Sequence, residues 1–157
     1  MLSNPVQVEK RASSKTPCIL VVEDDEDNLL IVSYVVEKFP YLLLKATDSV
    51  TALSLANAYL PDLIILDMVL PNLDGFYFMN QLKQNPLINH IPVIAVTGLV
   101  SQESQQQIKE VGCVDYLSKP YLLKELEERI CYHLNYHGLS SSLILIDNNN
   151  AELFRVR

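Results

Sequence analysis

Four stretches of this chain end apolar runs in residues that could handle a phosphate group or a hard metal ion. "ILVVEDDEDN", residues 19–28, runs straight into five consecutive acids: Glu23, Asp24, Asp25, Glu26 and Asp27. "LIILDMVLP" carries Asp67, "VIAVTG" carries Thr97, and "DYLSKPY" carries Lys119. The set comprises carboxylates, a hydroxyl and an ammonium. Crowded acids repel one another and raise their pKa values unless a cation sits among them. Oxygen ligands suit a hard ion, and Mg²⁺ usually takes one or two carboxylates together with waters and phosphate oxygens. Each residue also has an ordinary reading. The acids favour a first helical turn, where they complement the macrodipole. Asp67 can bind a backbone amide, Thr97-Gly98 is a common turn pair, and Lys119-Pro120 can be a solvated turn. The ordinary readings weaken together if all four positions fall at the same edge of one sheet.

The surrounding elements must decide that. Short, non-alternating apolar runs recur at 18–22, 42–46, 63–66, 92–96 and 114–117. Such runs fit strands buried on both faces of a parallel sheet. The intervals carry helical stripes: Leu29, Leu30, Val32, Val35, Val36 and Phe39; then Leu53, Leu55, Ala56 and Tyr59; then Phe76, Met79 and Leu82; then Ile108 with Val111. The fifth stripe is the most regular, with Leu122, Leu123, Leu126, Ile130 and Leu134. Gly112 and Gly138 mark helix stops. Alternation of five strands with five helices predicts a (βα)5 α/β fold around a doubly wound sheet. Ligands in such sheets bind at the carboxyl ends of the strands. The chemical residues above all lie there.

Composition narrows the classes further. The chain has 157 residues, 49% apolar and 20% charged, and a net charge of −7. That profile is globular, and the length suggests one domain with modest appendages. Residues 1–17 carry Lys10, Arg11 and Lys15 against Glu9, while the last nineteen residues balance, so the body between them stands near −9. A surface of that sign argues against direct nucleic-acid binding. No apolar run approaches the roughly 20 residues that cross a bilayer, and no secretory signal opens the chain. Cys18, Cys113 and Cys131 are widely spaced and read as reduced core residues, which points to the cytoplasm.

From about residue 17 to 137 the chain resembles a response-regulator receiver domain of two-component signalling. The matching pieces are "ILVVEDDEDN", "PDLIILDMVLPNLDG", "VIAVTG" and "DYLSKPY", in order and at similar spacing. The resemblance implies a flavodoxin-like five-stranded parallel sheet in the order 2-1-3-4-5. It implies that Asp67 is the phosphoacceptor, and that Glu23, Asp24, Asp67 and the backbone carbonyl of Val69 hold Mg²⁺. Thr97 would meet the incoming phosphoryl oxygen, Lys119 would pair with Asp67 and then with phosphate, and Tyr116 would be the aromatic switch. The Lys119-Pro120 bond would be cis, which is tolerable only at X-Pro. Physical logic agrees with these roles. Asp67 is ionised at neutral pH and needs no general base; a metal ion, Lys119 and Thr97 can offset charge on the equatorial oxygens. His90, His133 and His137 lie away from the motifs and receive no role. Val69 and Leu99 are apolar where the family often places polar residues, which suggests a slowly hydrolysing acyl phosphate.

The expected organisation is a disordered basic extension over 1–16, a receiver over 17–138, and a tail or β-hairpin arm over 139–157. The expected function is a stand-alone phosphoacceptor, loaded by a histidine kinase or histidine phosphotransfer protein and read by a downstream protein, with a homodimer as a further option. It would be no enzyme beyond its own phosphorylation and dephosphorylation. The alternatives are a phosphorylation-independent docking module, a receiver belonging to a larger regulator, and a haloacid-dehalogenase-type phosphohydrolase. The last wants a second acid two residues after its nucleophile, where this chain has Val69.

Overall fold

A computed structural model describes residues 16–69 and 75–135. Strands β1 (Cys18–Val22), β2 (Leu42–Ala46), β3 (Leu63–Asp67), β4 (Val93–Thr97) and β5 (Asp115–Ser118) alternate with five helices. These are α1 (Glu26–Glu37), α2 (Ser49–Tyr59), α3 (Gly75–Gln84), α4 (Gln102–Glu110) and α5 (Leu123–Asn135). The strands are all parallel, in the order β2-β1-β3-β4-β5. This is the expected doubly wound sheet. The extension before Thr16, Gly138 and the 139–157 arm lie outside the described residues.

Strand side chains alternate between faces, so the sheet divides its apolar residues into two cores. Leu20, Val22, Ile64, Leu66, Val93 and Ala95 pack under α2, α3 and α4, against Ala52, Ala56, Phe78, Met79, Leu82 and Ile108. Ile19, Val21, Leu63, Ile65, Ile94, Val96 and Leu117 pack under α1 and α5, against Val32, Val35, Val36, Leu126 and Ile130. Burying each such side chain contributes about 1.5–3 kcal/mol. The central strands are therefore pinned from both sides, and their carboxyl ends are held in fixed register.

Several expectations shift. The run 42–46 is not buried on both faces, because β2 is an edge strand with Leu42 52% exposed and Lys45 exposed. β4 starts after Pro92, which lacks the N–H a ladder needs, although its carbonyl accepts from Ile64 N–H at 3.0 Å. β5 likewise starts at Asp115 and runs to Ser118. Leu30, Tyr59, Leu122 and Leu123 belong to regular apolar patterns yet face solvent, Leu122 at 70% exposure. Leu122 precedes the first residue of α5 and so lies off that helix's stripe, whereas for Leu30, Tyr59 and Leu123 the docking of the helix decides which edge of a wide stripe is covered.

The helix starts are built locally. Asp25 caps α1, accepting from Asn28 N–H at 2.9 Å, with Glu26 and Asp27 in the first turn. Asp48 caps α2, accepting from Thr51 N–H at 2.7 Å, and Ser101 caps α4. Gly112 follows α4 with φ of 102°, a left-handed conformation that favours glycine. Lys38 of α1 pairs with Glu127 of α5, and Asp115 of β5 pairs with Arg129 and His133 of α5.

Candidate phosphoacceptor and metal site

The acids at the end of β1 separate into two groups. Asp25, Glu26 and Asp27 serve the start of α1, as described above. Glu23 turns inward and is only 4% exposed, while Asp24 is half-buried beside it. The Glu23 N–H still reaches Ala46 O at 3.0 Å, so the strand pairing continues to the point where the carboxylates begin. Asp67, the last residue of the central strand β3, is 7% exposed. Glu23, Asp24 and Asp67 each offer a carboxylate oxygen, and the three oxygens lie within 4.8 Å of one another.

Lys119 supplies the cation that this cluster requires. Its Nζ donates to Asp67 Oδ2 at 2.9 Å and to Glu23 Oε2 at 3.0 Å. The other Asp67 oxygen, Oδ1, accepts from Val69 N–H at 2.9 Å, and Glu23 Oε1 accepts from Asp25 N–H at 3.2 Å. Burial pushes the Glu23 carboxyl above the usual glutamate value; the Lys119 hydrogen bond opposes the shift and the Asp67 charge adds to it. Burial works against the Lys119 ammonium, but its hydrogen bonds to Asp67 and Glu23 outweigh that and hold its pKa above the ordinary lysine value. Lys119 is therefore held as a cation against two carboxylates. It lies just before a cis peptide bond to Pro120, at the turn from β5 towards α5.

Thr97 ends β4 and is fully buried. Its Oγ1 accepts from Leu99 N–H at 3.1 Å, and its carbonyl accepts from Lys119 N–H at 2.8 Å. The hydroxyl is thus engaged with its own loop, and the residue joins the charged trio through the backbone of Lys119. Tyr116 sits half-buried on β5, against the core formed under α2, α3 and α4. Its hydroxyl is bonded to Ser118 Oγ at 2.7 Å and accepts from Gln105 Nε2 of α4 at 3.1 Å. Val69 is exposed and reaches the cluster through its backbone. Glu23, Asp67 and Lys119 thus meet directly, with Asp24 beside the two carboxylates. Val69 and Thr97 join them through backbone hydrogen bonds, and Tyr116 stands apart, bonded to Ser118 and Gln105.

Some participants gave no sequence signal. Ser118 and Gln105 hold the Tyr116 hydroxyl, and both look like generic polar residues in the sequence. Tyr121 feels the charges of Lys119, Glu23 and Asp67, while burial above all raises its phenol pKa. His133, expected to have no role at this site, is paired with Asp115 instead, with Nε2 at 2.9 Å from Oδ2.

The donor set fits a hard divalent ion. Three carboxylates converge, two of them buried, and both buried ones accept from an ammonium that offsets part of their charge. Chemically, the arrangement offers an oriented carboxylate on Asp67, one oxygen held by the Val69 N–H and the other by the Lys119 ammonium.

Comparison with known proteins bears on the family and the fold. A family model for the response regulator receiver domain matches residues 19–131. A probable cyclic di-GMP phosphodiesterase of Vibrio cholerae is 36% identical over 134 residues, covering 85% of this chain; the chain spans only 30% of that relative's length. The polar-differentiation response regulator DivK of Brucella ovis is 34% identical over 119 residues, covering 76% of this chain and 97% of DivK. Among solved structures, the chemotaxis response regulator CheY4 of Vibrio cholerae superposes with a TM-score of 0.71 at 27% identity, covering 76% of this chain and all of that one. Among the described residues, no helix is long and apolar enough to cross a membrane.

Proposed function

The chain belongs to the response regulator receiver family of signalling domains, and from that premise we propose that Asp67 accepts a phosphoryl group from a phosphohistidine on a histidine kinase or phosphotransfer protein. The observation that carries this reading is the Lys119 ammonium bridging Asp67 Oδ2 and Glu23 Oε2 inside a three-carboxylate cluster at the carboxyl edge of the sheet. Glu23, Asp24, Asp67 and the Val69 carbonyl would hold Mg²⁺, which when bound offsets phosphoryl charge. The Asp67 carboxylate attacks phosphorus as the phosphorus–nitrogen bond breaks, and the electron pair returns to the imidazole. Lys119 then trades part of its contact with Asp67 for a phosphoryl oxygen. Catalysis here is positioning and electrostatics rather than proton transfer.

The response of the fold follows from the hydrogen bonds that the product disturbs. Thr97 exchanges its Leu99 N–H contact for donation to a phosphoryl oxygen. That movement opens space beside β5, and Tyr116 turns away from Ser118 and Gln105 to occupy it. The surface formed by α4, β5 and α5 is the part that changes, and a downstream protein reads it.

Beryllofluoride, which mimics a phosphoryl group on a carboxylate, provides the test. It should bind the chain only when Mg²⁺ is present, and should shift the backbone resonances of Thr97 and Tyr116. Absence of binding, or binding indifferent to Mg²⁺, contradicts the reading.

A further inference from the structure

The segment that follows Asp67 is clasped from a direction with no chemistry of its own. Gly75 opens α3, and its N–H donates to Met68 O at 3.1 Å. A Cβ placed on Gly75 would stand 2.6 Å from Met68 Cα, 2.9 Å from Met68 O and 3.1 Å from Met68 C. These are backbone atoms, so no side-chain rotation can relieve the overlap. A Cβ placed on Gly98, by comparison, would meet nothing within 4 Å, and one on Gly112 would meet only the flexible Lys83 side chain, so among the described glycines the crowding against backbone is particular to Gly75.

Either α3 or Met68 would have to give way. Phe78, Met79 and Leu82 are fully buried and fix α3 in the core. The Met68 side chain is buried as well, at 1% exposure, so its backbone can yield only by turning. Turning Met68 swings the next peptide, which carries the Val69 N–H bonded to Asp67 Oδ1 at 2.9 Å. It also re-aims the Val69 carbonyl.

We infer that Gly75 is a positioning residue for the acceptor site: its missing side chain lets the start of α3 set the peptides beside Asp67, and so the orientation of the Asp67 carboxylate and the Val69 carbonyl. The inference rests on the reading of Asp67 as the phosphoacceptor. Gly75 touches neither phosphate nor metal. It acts through Met68 and Val69.

The test compares the full wild-type chain with Gly75→Ala and, as a glycine control with open space around it, Gly98→Ala. Three quantities are measured: the melting temperature without Mg²⁺, Mg²⁺ affinity by calorimetry, and the phosphorylation rate with acetyl phosphate across a range of donor concentrations. Gly75→Ala should fold, bind Mg²⁺ more weakly, and lose roughly ten- to a hundredfold in the saturated rate, as misplacement of a reacting group predicts. Exchange of the Val69 amide with solvent should accelerate in the same variant, a local signature that general loss of packing does not single out. Gly98→Ala should track the wild type. A Gly75→Ala chain that fails to fold, or that folds and keeps its Mg²⁺ affinity, saturated rate and Val69 protection, overturns the inference. If the wild type itself takes up no phosphate, the acceptor reading fails instead, and the two failures are distinct.

Discussion

At the scale of single residues, Lys119 decides how the carboxylates coexist. Glu23 and Asp67 are nearly buried, and each accepts a hydrogen bond from the same ammonium. Replacing it by methionine keeps most of the stem and removes the charge-assisted bonds. Lys119→Met should lower stability by at least about 1–3 kcal/mol, the usual cost of leaving buried acceptors without a donor, measured by denaturant unfolding at neutral pH without Mg²⁺. It should also slow acetyl phosphate loading. A variant as stable and as fast as wild type would show that the acids are neutralised elsewhere. Val69 and Leu99 contribute a second expectation. Their backbone amides hold Asp67 Oδ1 and Thr97 Oγ1, while their side chains give an attacking water no polar partner. The acyl phosphate should therefore hydrolyse slowly; a lifetime of only seconds in the purified protein would refute this. Glu23, Asp24, Asp67 and Lys119 were legible in the sequence because each follows or ends an apolar run at a strand end. The crowding at Gly75 was not, since a missing Cβ leaves no pattern to read. Nor was the bonding of Tyr116 to Ser118 and Gln105, which depends on how α4 docks beside β5.

At the scale of elements, the loops beside the site depend on helix starts. Asp48 illustrates this at α2, which begins three residues after β2. Its carboxylate accepts from Thr51 N–H at 2.7 Å and Thr51 Oγ1 at 2.9 Å. The backbone bond from Thr51, followed by the side-chain bond, holds the Asp48 pKa below the ordinary aspartate value. A lowered folded-state pKa means that the cap stabilises above the unfolded value, near pH 4, and that this contribution is lost as pH falls through the folded value. Asp48→Ala should cost about 0.5–2 kcal/mol at neutral pH, as capping losses do. The gap between the thermal melts of the two chains should narrow progressively as pH falls below about 4. A gap that persists unchanged at low pH would show that the carboxylate charge is not what caps the helix. Strands were easier to anticipate than helix faces. Continuous apolar runs announce burial on both sides, as β1, β3 and β4 bear out. The edge position of β2 and the exposure of Leu30 and Leu123 arise from packing, which periodicity does not encode.

At the scale of the molecule, the two cores hold the sheet from both faces, and the strand order carries β1, β3, β4 and β5 side by side. Parallel strands end on the same edge, so residues as far apart as Glu23 and Lys119 meet at 3.0 Å. That convergence explains the five consecutive acids. Three serve the start of α1, while Glu23 and Asp24 lie beside Asp67 and Glu23 also accepts from Lys119. It also links the site to the α4, β5 and α5 surface, because Thr97 and Tyr116 stand on neighbouring strands in direct backbone register with Ser118 and Ala95. The central claim is that the whole arrangement exists to load Asp67. Intact mass of the chain after incubation with Mg²⁺ and acetyl phosphate tests it most directly. A single phosphoryl-sized gain that disappears in Asp67→Asn is the predicted result. No gain with any small donor or cognate kinase, or a gain that survives Asp67→Asn, would contradict it.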